Sequence, residues 1–149
     1  MIYQWKTKYF KSDPQQAGEL CEELSKTIGL TPKNLVDASR EEDAPLHKDF
    51  EWDNSKAAEA FREHQARILI RNLITVDVVS EQSEPVRAFY NIENSNVNAG
   101  IYESAVSIMS SDEKRAILLR NAKEELNRFK RKYSALKELS DVFKAIDAL

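Results

Sequence analysis

The chain has one cysteine, two histidines, three glycines and four prolines in 149 residues, and no apolar run approaching the roughly 18 residues that a bilayer-spanning helix needs. The lone Cys21 excludes an intramolecular disulfide and any cysteine-based metal framework, which fits a reducing cytosol. With so little glycine there is no phosphate-cradling loop and no Gly-x-Ser-x-Gly elbow, and His-Glu-x-x-His is absent as well. The opening Met1-Ile-Tyr-Gln-Trp-Lys lacks the charged and apolar regions of a signal peptide, so the expected location is the cytoplasm.

What is present is charge and helix-forming residues: 32% of the chain is charged and 42% apolar, the profile of a folded, helix-rich protein. The length suits a single domain, residues 1–149, able to bury roughly two thirds of its unfolded surface. A net charge of −3 conceals an uneven division. From Ser111 onward ten Lys/Arg face seven Asp/Glu, which is +3; the preceding 110 residues carry twelve against eighteen, which is −6. A basic C-terminal stretch can meet nucleic acid, or it can attract the acidic body within or between chains.

The expected fold is α+β, mostly helical, with a small antiparallel sheet of two or three strands and a long C-terminal helix. Tyr3 to Lys8 reads as a short strand or extended arm. Asp13-Pro14 caps an amphipathic helix with Ala17, Leu20, Cys21, Leu24 and Ile28 inward, ended by Gly29. Thr31-Pro32 opens a short helix that buries Leu35 and Val36, closed by Ala44-Pro45. Leu46 to Trp52 follows as an ordered loop. Asp53 is the expected N-cap of a helix running to about Arg71, with Ala57, Ala58, Phe61, Gln65, Ile68, Leu69 and Asn72 on its inner face. Strands at Ile74–Val79 and Val86–Ile92 make an antiparallel hairpin, and Ile101–Glu103 adds a third strand before a helical turn at Ser104–Met109. Ser110 with Glu113 supplies a capping box for the last helix.

That last stretch, Ser111 to Leu149, reads as a single helix of about ten turns, either straight or broken near Ser134 or Ser140. Leu119, Ala122, Leu126, Phe129, Tyr133, Leu136 and Phe143 recur at alternating steps of three and four, the a/d seam of a heptad, interrupted only by Ser140. Leu118, Leu139 and Ile146 widen the apolar face on one edge. Lys123, Lys130, Lys137 and Lys144 repeat at position e on the other. This row reads either as a phosphate track, extended by Arg120, Arg128 and Arg131, or as lysine stems lying along the seam and pairing with carboxylates. The inner face is expected to lie partly on the chain's own domain, with one edge left for a partner.

Chemical groups elsewhere are sparse. His47 and His64 have Glu51, Asp53 or Glu63 near them in sequence, which makes His64 with Glu51 or Glu63 the only enzyme candidates, yet neither histidine belongs to a strong metal-ligand pair. Glu59 and Glu63 share a helix face and read as solvated. Arg62, Arg67 and Arg71 could read a nucleic-acid groove, or could form a salt-bridged face through Glu63–Arg67. Phe50 and Trp52 read as an exposed anchor, or as a staple onto Phe61 and Ala57. No catalytic residue, metal or cofactor is expected.

The run Pro45-Leu-His-x-x-Phe-Glu-Trp-Asp-x-x-Lys-Ala-Ala-Glu, continued by Arg62, Gln65-Ala66-Arg67 and Leu69-Ile70-Arg71, resembles a family of small uncharacterised proteins encoded by bacteriophages, prophages and related mobile elements. The opening Tyr-x-Trp-Lys and the tail Arg131-Lys-Tyr-Ser-x-Leu-x-x-Leu with Val142-Phe-x-Ala-Ile are similar too. The resemblance implies a phage product at work in the cytoplasm of a bacterial host and carries no catalytic residues with it. The expected function is that of a non-enzymatic accessory protein acting through protein–protein contact. Its partner would be itself or another phage or host protein, gripped by Leu126, Phe129, Tyr133, Leu136 and Phe143. The alternative is a nucleic-acid-binding protein of phage replication, recombination or regulation that uses Lys123, Lys130, Lys137 and Lys144. No membrane partner is expected.

Overall fold

The computed structural model describes residues 1–56, 58–76, 84–92 and 100–149. They form an α+β fold with one three-stranded and one two-stranded antiparallel sheet, divided into two compact units, Met1–Ser107 and Ile108–Leu149.

In the first unit, strand β1 (Ile2–Trp5) pairs antiparallel with β2 (Leu73–Val76), Trp5 opposite Leu73 and Ile2 opposite Val76. On the other edge of β2 lies β3 (Val86–Arg87), which confirms the antiparallel pairing expected there. The end of the first expected hairpin strand, 77–79, and most of the turn lie outside the described residues. Instead of running on to Ile92 in the same sheet, the second strand of the expected hairpin changes sheets at Ala88. The Ala88 N–H donates to Leu73 O at 3.0 Å, while its carbonyl accepts from Ala105 N at 2.9 Å. Beyond that switch, β4 (Phe89–Asn91) pairs with β5 (Tyr102–Ser104), and Leu30 bridges to Tyr102.

The helices begin where the side chains dictate. Asp13 accepts from the Gln16 N–H at 3.0 Å to open α1 (Pro14–Lys26), and Thr31 accepts from Asn34 N at 3.0 Å to open α2 (Pro32–Ala38). Gly29, at φ +90°, lets its N–H close on Leu24 O at 2.8 Å, the left-handed turn that only glycine enters cheaply. Ile28, expected inward, is exposed, because the helix has already ended at Lys26.

The core gathers Ala17, Cys21 and Leu24 of α1, Leu35 and Val36 of α2, and Leu69 and Ile70 of α3 (Glu59–Asn72), around Tyr3, Leu30, Leu73 and Phe89. Tyr3 lies flat over Gly18, where any Cβ would stand 2.1 Å from its ring; it stacks on Phe89 at 6.0 Å and donates to Glu22 Oε2 at 3.0 Å. Burial, followed by the Glu22 hydrogen bond, raises the Tyr3 phenol's pKa, and burial alone pushes the Cys21 thiol up to about 12. Cys21 is a core residue with its thiol held protonated.

Two expectations for α3 are corrected. Asp53 does not cap it: the Asp53 carboxylate accepts from Ser55 N and Oγ in a local turn, and the helix starts five residues later, after Ala58, without a side-chain cap. Nor are Ala58, Phe61 and Ile68 inward, since the buried stripe is Arg62, Ala66, Leu69 and Ile70. Ala57, expected on the same face, lies outside the described residues. The stripe has ideal helical spacing but is headed by a cation, which disguises it in the sequence.

The second unit contains the end of α4 (Ala105–Met109) and then α5 (Asp112–Lys132), capped by Ser111 accepting from Lys114 N at 3.4 Å, one residue later than the Ser110 expected. The long C-terminal helix is therefore present, but it stops at Lys132 and not at Leu149. Tyr133 closes it by donating to Phe129 O, and Leu136 is extended. A single 3₁₀ turn (Lys137–Leu139) then leads into α6 (Ser140–Asp147). A straight ten-turn helix would leave its whole seam wet. Folding back buries Ile146 and half-buries Tyr133, Leu139 and Phe143.

Candidate interaction surface on the C-terminal helices

Helices α5 and α6 form an antiparallel hairpin. Lys123 Nζ donates to Leu149 O at 2.6 Å and Lys130 Nζ pairs with Asp147, while further back the Phe129 and Phe143 rings meet edge-on at 6.5 Å. Tyr133 packs on Phe129 at 4.9 Å. Of the five seam residues singled out from the sequence, Phe129, Tyr133 and Phe143 are thus brought together by the hairpin, whereas Leu126 and Leu136 remain exposed.

The lysine row is dispersed by the same fold. Lys123 and Lys130 stand on α5 and hold the returning tail; Lys137 lies in the 3₁₀ turn; Lys144 lies on α6, 3.0 Å from Asp141. A single ridge along one helix, as the heptad count suggests, does not form.

What remains open is apolar. No residue of α5 is buried, although it spans 21 residues, and Leu119 is 55% and Leu126 38% exposed. Leu119, Leu126 and Phe129, itself 39% exposed, share one face of α5 by helical spacing and leave an apolar strip there, and Leu136 and Val142 are exposed as well. Such a strip is more than the scattered single apolar residues of an ordinary surface.

The other side-chain cluster with chemical potential lies around Trp52 in the first unit. Arg62, 4% exposed, donates to Glu51 O at 2.9 Å, to Asn54 Oδ1 at 2.6 Å and to Glu59 Oε1 at 2.8 Å, and its guanidinium lies over the Trp52 ring at 5.4 Å. Arg40 reaches Glu59 at 2.8 Å and Asp37 at 3.0 Å. Arg40, then Arg62, hold the Glu59 carboxyl below its ordinary range. Lys33, hydrogen-bonded to Asp37, does the same there ahead of Arg40. His47 stacks on Trp52 at 5.0 Å and donates from Nδ1 to Ser39 O, and Trp52 Nε1 donates to His47 O at 2.8 Å. This is a bracing network: the cation is enclosed, its donors end on main-chain oxygens and neighbouring side chains, and Leu46 and Phe50 beneath it are core.

No family model, curated protein or solved structure matches this chain. Within the motif Pro45 to Arg71, Trp52, Glu59 and Arg62 belong to that brace, and Leu46, Phe50, Ala66, Leu69 and Ile70 are core. Arg62 is the residue that sequence reasoning misassigned, as part of a solvated or groove-reading face. Its signal was its place four residues before Ala66 and seven before Leu69. Glu63 and Arg67 do pair, at 3.5 Å, as expected from their spacing. His64 is exposed on α3, while His47 is tied to Trp52, so the two histidines have separate surroundings. Among the described residues no three His, Cys, Asp or Glu side chains are grouped to hold a metal ion, and no helix is long and apolar enough to cross a membrane.

Proposed function

We propose that the protein is a non-enzymatic accessory protein that acts by binding another protein, self-association through the C-terminal hairpin included. The observation that carries this reading is α5 itself: a 21-residue helix with no buried residue and with Leu119 and Leu126 on its open face. A leucine gains about 1.5–3 kcal/mol on going from full exposure to full burial, so these part-covered leucines would each contribute a share of that to a partner helix laid along the strip. The likeness of residues 45–71 to small phage- and prophage-encoded proteins supplies the proposed setting, the cytoplasm of a bacterial host.

The test is sedimentation of the protein against its Leu119→Asp/Leu126→Asp variant, over a range of concentration. Self-association that rises with concentration and is lost in the variant, with unchanged circular dichroism, supports this reading. A wild-type monomer at every concentration, indistinguishable from the variant, removes self-association through this strip. The alternative, a phosphate track through Lys123, Lys130, Lys137 and Lys144, has less support because three of the four are engaged, with Leu149 O, Asp147 and Asp141.

A further inference from the structure

The first unit carries a cationic patch that the acidic balance of its sequence hides. Between Trp5 and Ser12 the chain makes a closed loop: Trp5 Nε1 donates to Ser12 O at 2.8 Å, and the loop's foot is pinned by Asp49, whose carboxylate accepts from Lys11 N at 2.7 Å and Ser12 N at 3.2 Å. Every side chain from Lys6 to Tyr9, and that of Lys11, is exposed. Lys48 and Arg71, both exposed, each stand one residue along the chain from a contact with the loop: Asp49 accepts from Lys11 N, and Asn72 O accepts from Lys6 N at 2.9 Å. Lys6, Lys8, Lys11, Lys48 and Arg71 form no ion pair among the described residues. Asp49 and Asp13, at the foot of the loop, direct their carboxylates to main-chain N–H groups. Tyr9, 80% exposed, stands edge-on to Phe10 at 5.3 Å, and Phe10 rests on Trp5 at 4.4 Å, so the one exposed ring is backed by two half-buried ones.

We infer that this loop is a binding surface for single-stranded nucleic acid, with Tyr9 stacking on a base and Lys6, Lys8, Lys11, Lys48 and Arg71 meeting the flanking phosphates. Unpaired cations around one solvent-facing aromatic ring suit an unstacked, flexible strand: the ring takes any base face and the ammonium groups track the backbone. A duplex hides its base faces. An anionic membrane would ask for several exposed apolar side chains, and this loop offers one amphipathic ring.

The test is fluorescence anisotropy with a labelled oligothymidylate of about 15 nucleotides at low salt. Binding should fall about a hundredfold as salt rises from about 50 to about 200 mM if all five cations engage phosphate. Tyr9→Ala should weaken it about tenfold or more, and Lys6→Glu/Lys8→Glu/Lys11→Glu should abolish it; circular dichroism and the thermal midpoint confirm that these surface variants stay folded. The inference is overturned if the wild type does not bind at low salt, or if the loop variants bind as well as the wild type. It is equally overturned if reversal of Lys137 and Lys144 is what removes binding, or if phosphatidylserine vesicles are bound and the oligonucleotide is not.

Discussion

The two units of this chain are built on opposite principles. Met1–Ser107 encloses a core in which Leu30, Leu35, Val36, Leu46, Ile70, Leu73 and Phe89 are completely buried, and even its buried cation, Arg62, has its donors satisfied. Ile108–Leu149 buries only Ile108 and Ile146 among its apolar side chains and leaves a long helix wet along its length. A unit with a closed core owes its stability to itself. One with an open strip has apolar surface still to bury, and its function is to be sought where that surface is met.

The comparison breaks most sharply under mutation. Phe89→Ala empties the centre of the first unit and should destabilise it by about 3–5 kcal/mol, measured by urea unfolding; a loss below about 1 kcal/mol would mean that this core does not govern the unit.

Arg62→Ala should cost about 3 kcal/mol, because the Glu51 main-chain oxygen and the Asn54 side chain lose a charged donor in a nearly closed site. Acid should erode the same brace. The Glu59 carboxyl is held below its ordinary value, so its contribution is complete above about pH 4.5 and is lost as pH falls through the lowered folded value. Glu59→Gln, which removes the charge paired with both Arg40 and Arg62, should accordingly flatten the acid limb of the stability profile, and an unchanged acid limb would show that the Glu59 pairing contributes nothing.

The smallest effect belongs to the second unit. Phe143→Ala removes a half-buried ring from Phe129 and should cost about 1 kcal/mol or less, read as faster amide exchange in α6 with no change at α1 or α3. An exchange increase spread over both units would dissolve the contrast between them.

Much of the fold could be read from local chemistry. Asp13-Pro14, Thr31-Pro32 and Gly29 mark helix ends because their caps involve residues within three to five positions, and those hydrogen bonds form as the spacing says. The short strands near Leu73, Val86 and Tyr102 were legible from β-branched and aromatic runs. Misreadings arose where a residue had more than one possible partner and the sequence pattern did not say which it took. Asp53 is competent as a cap but is taken by Ser55; Phe61 is apolar but faces solvent, because Arg62 found Glu51, Asn54 and Glu59 to satisfy it. Neither choice is visible in the apolar pattern of the helix alone.

The candidate surface divides in the same way. Periodicity alone established that Leu119 to Phe129 share one face of a helix, since side-chain direction repeats every 3.6 residues whatever lies beside it. Whether the seam continued to Phe143 was a question of energy. Only the tertiary structure ended the helix at Lys132 and turned α6 back, because burying Ile146 and pairing Phe143 with Phe129 outweigh a few more turns of exposed helix, and that return leaves Leu119 and Leu126 uncovered.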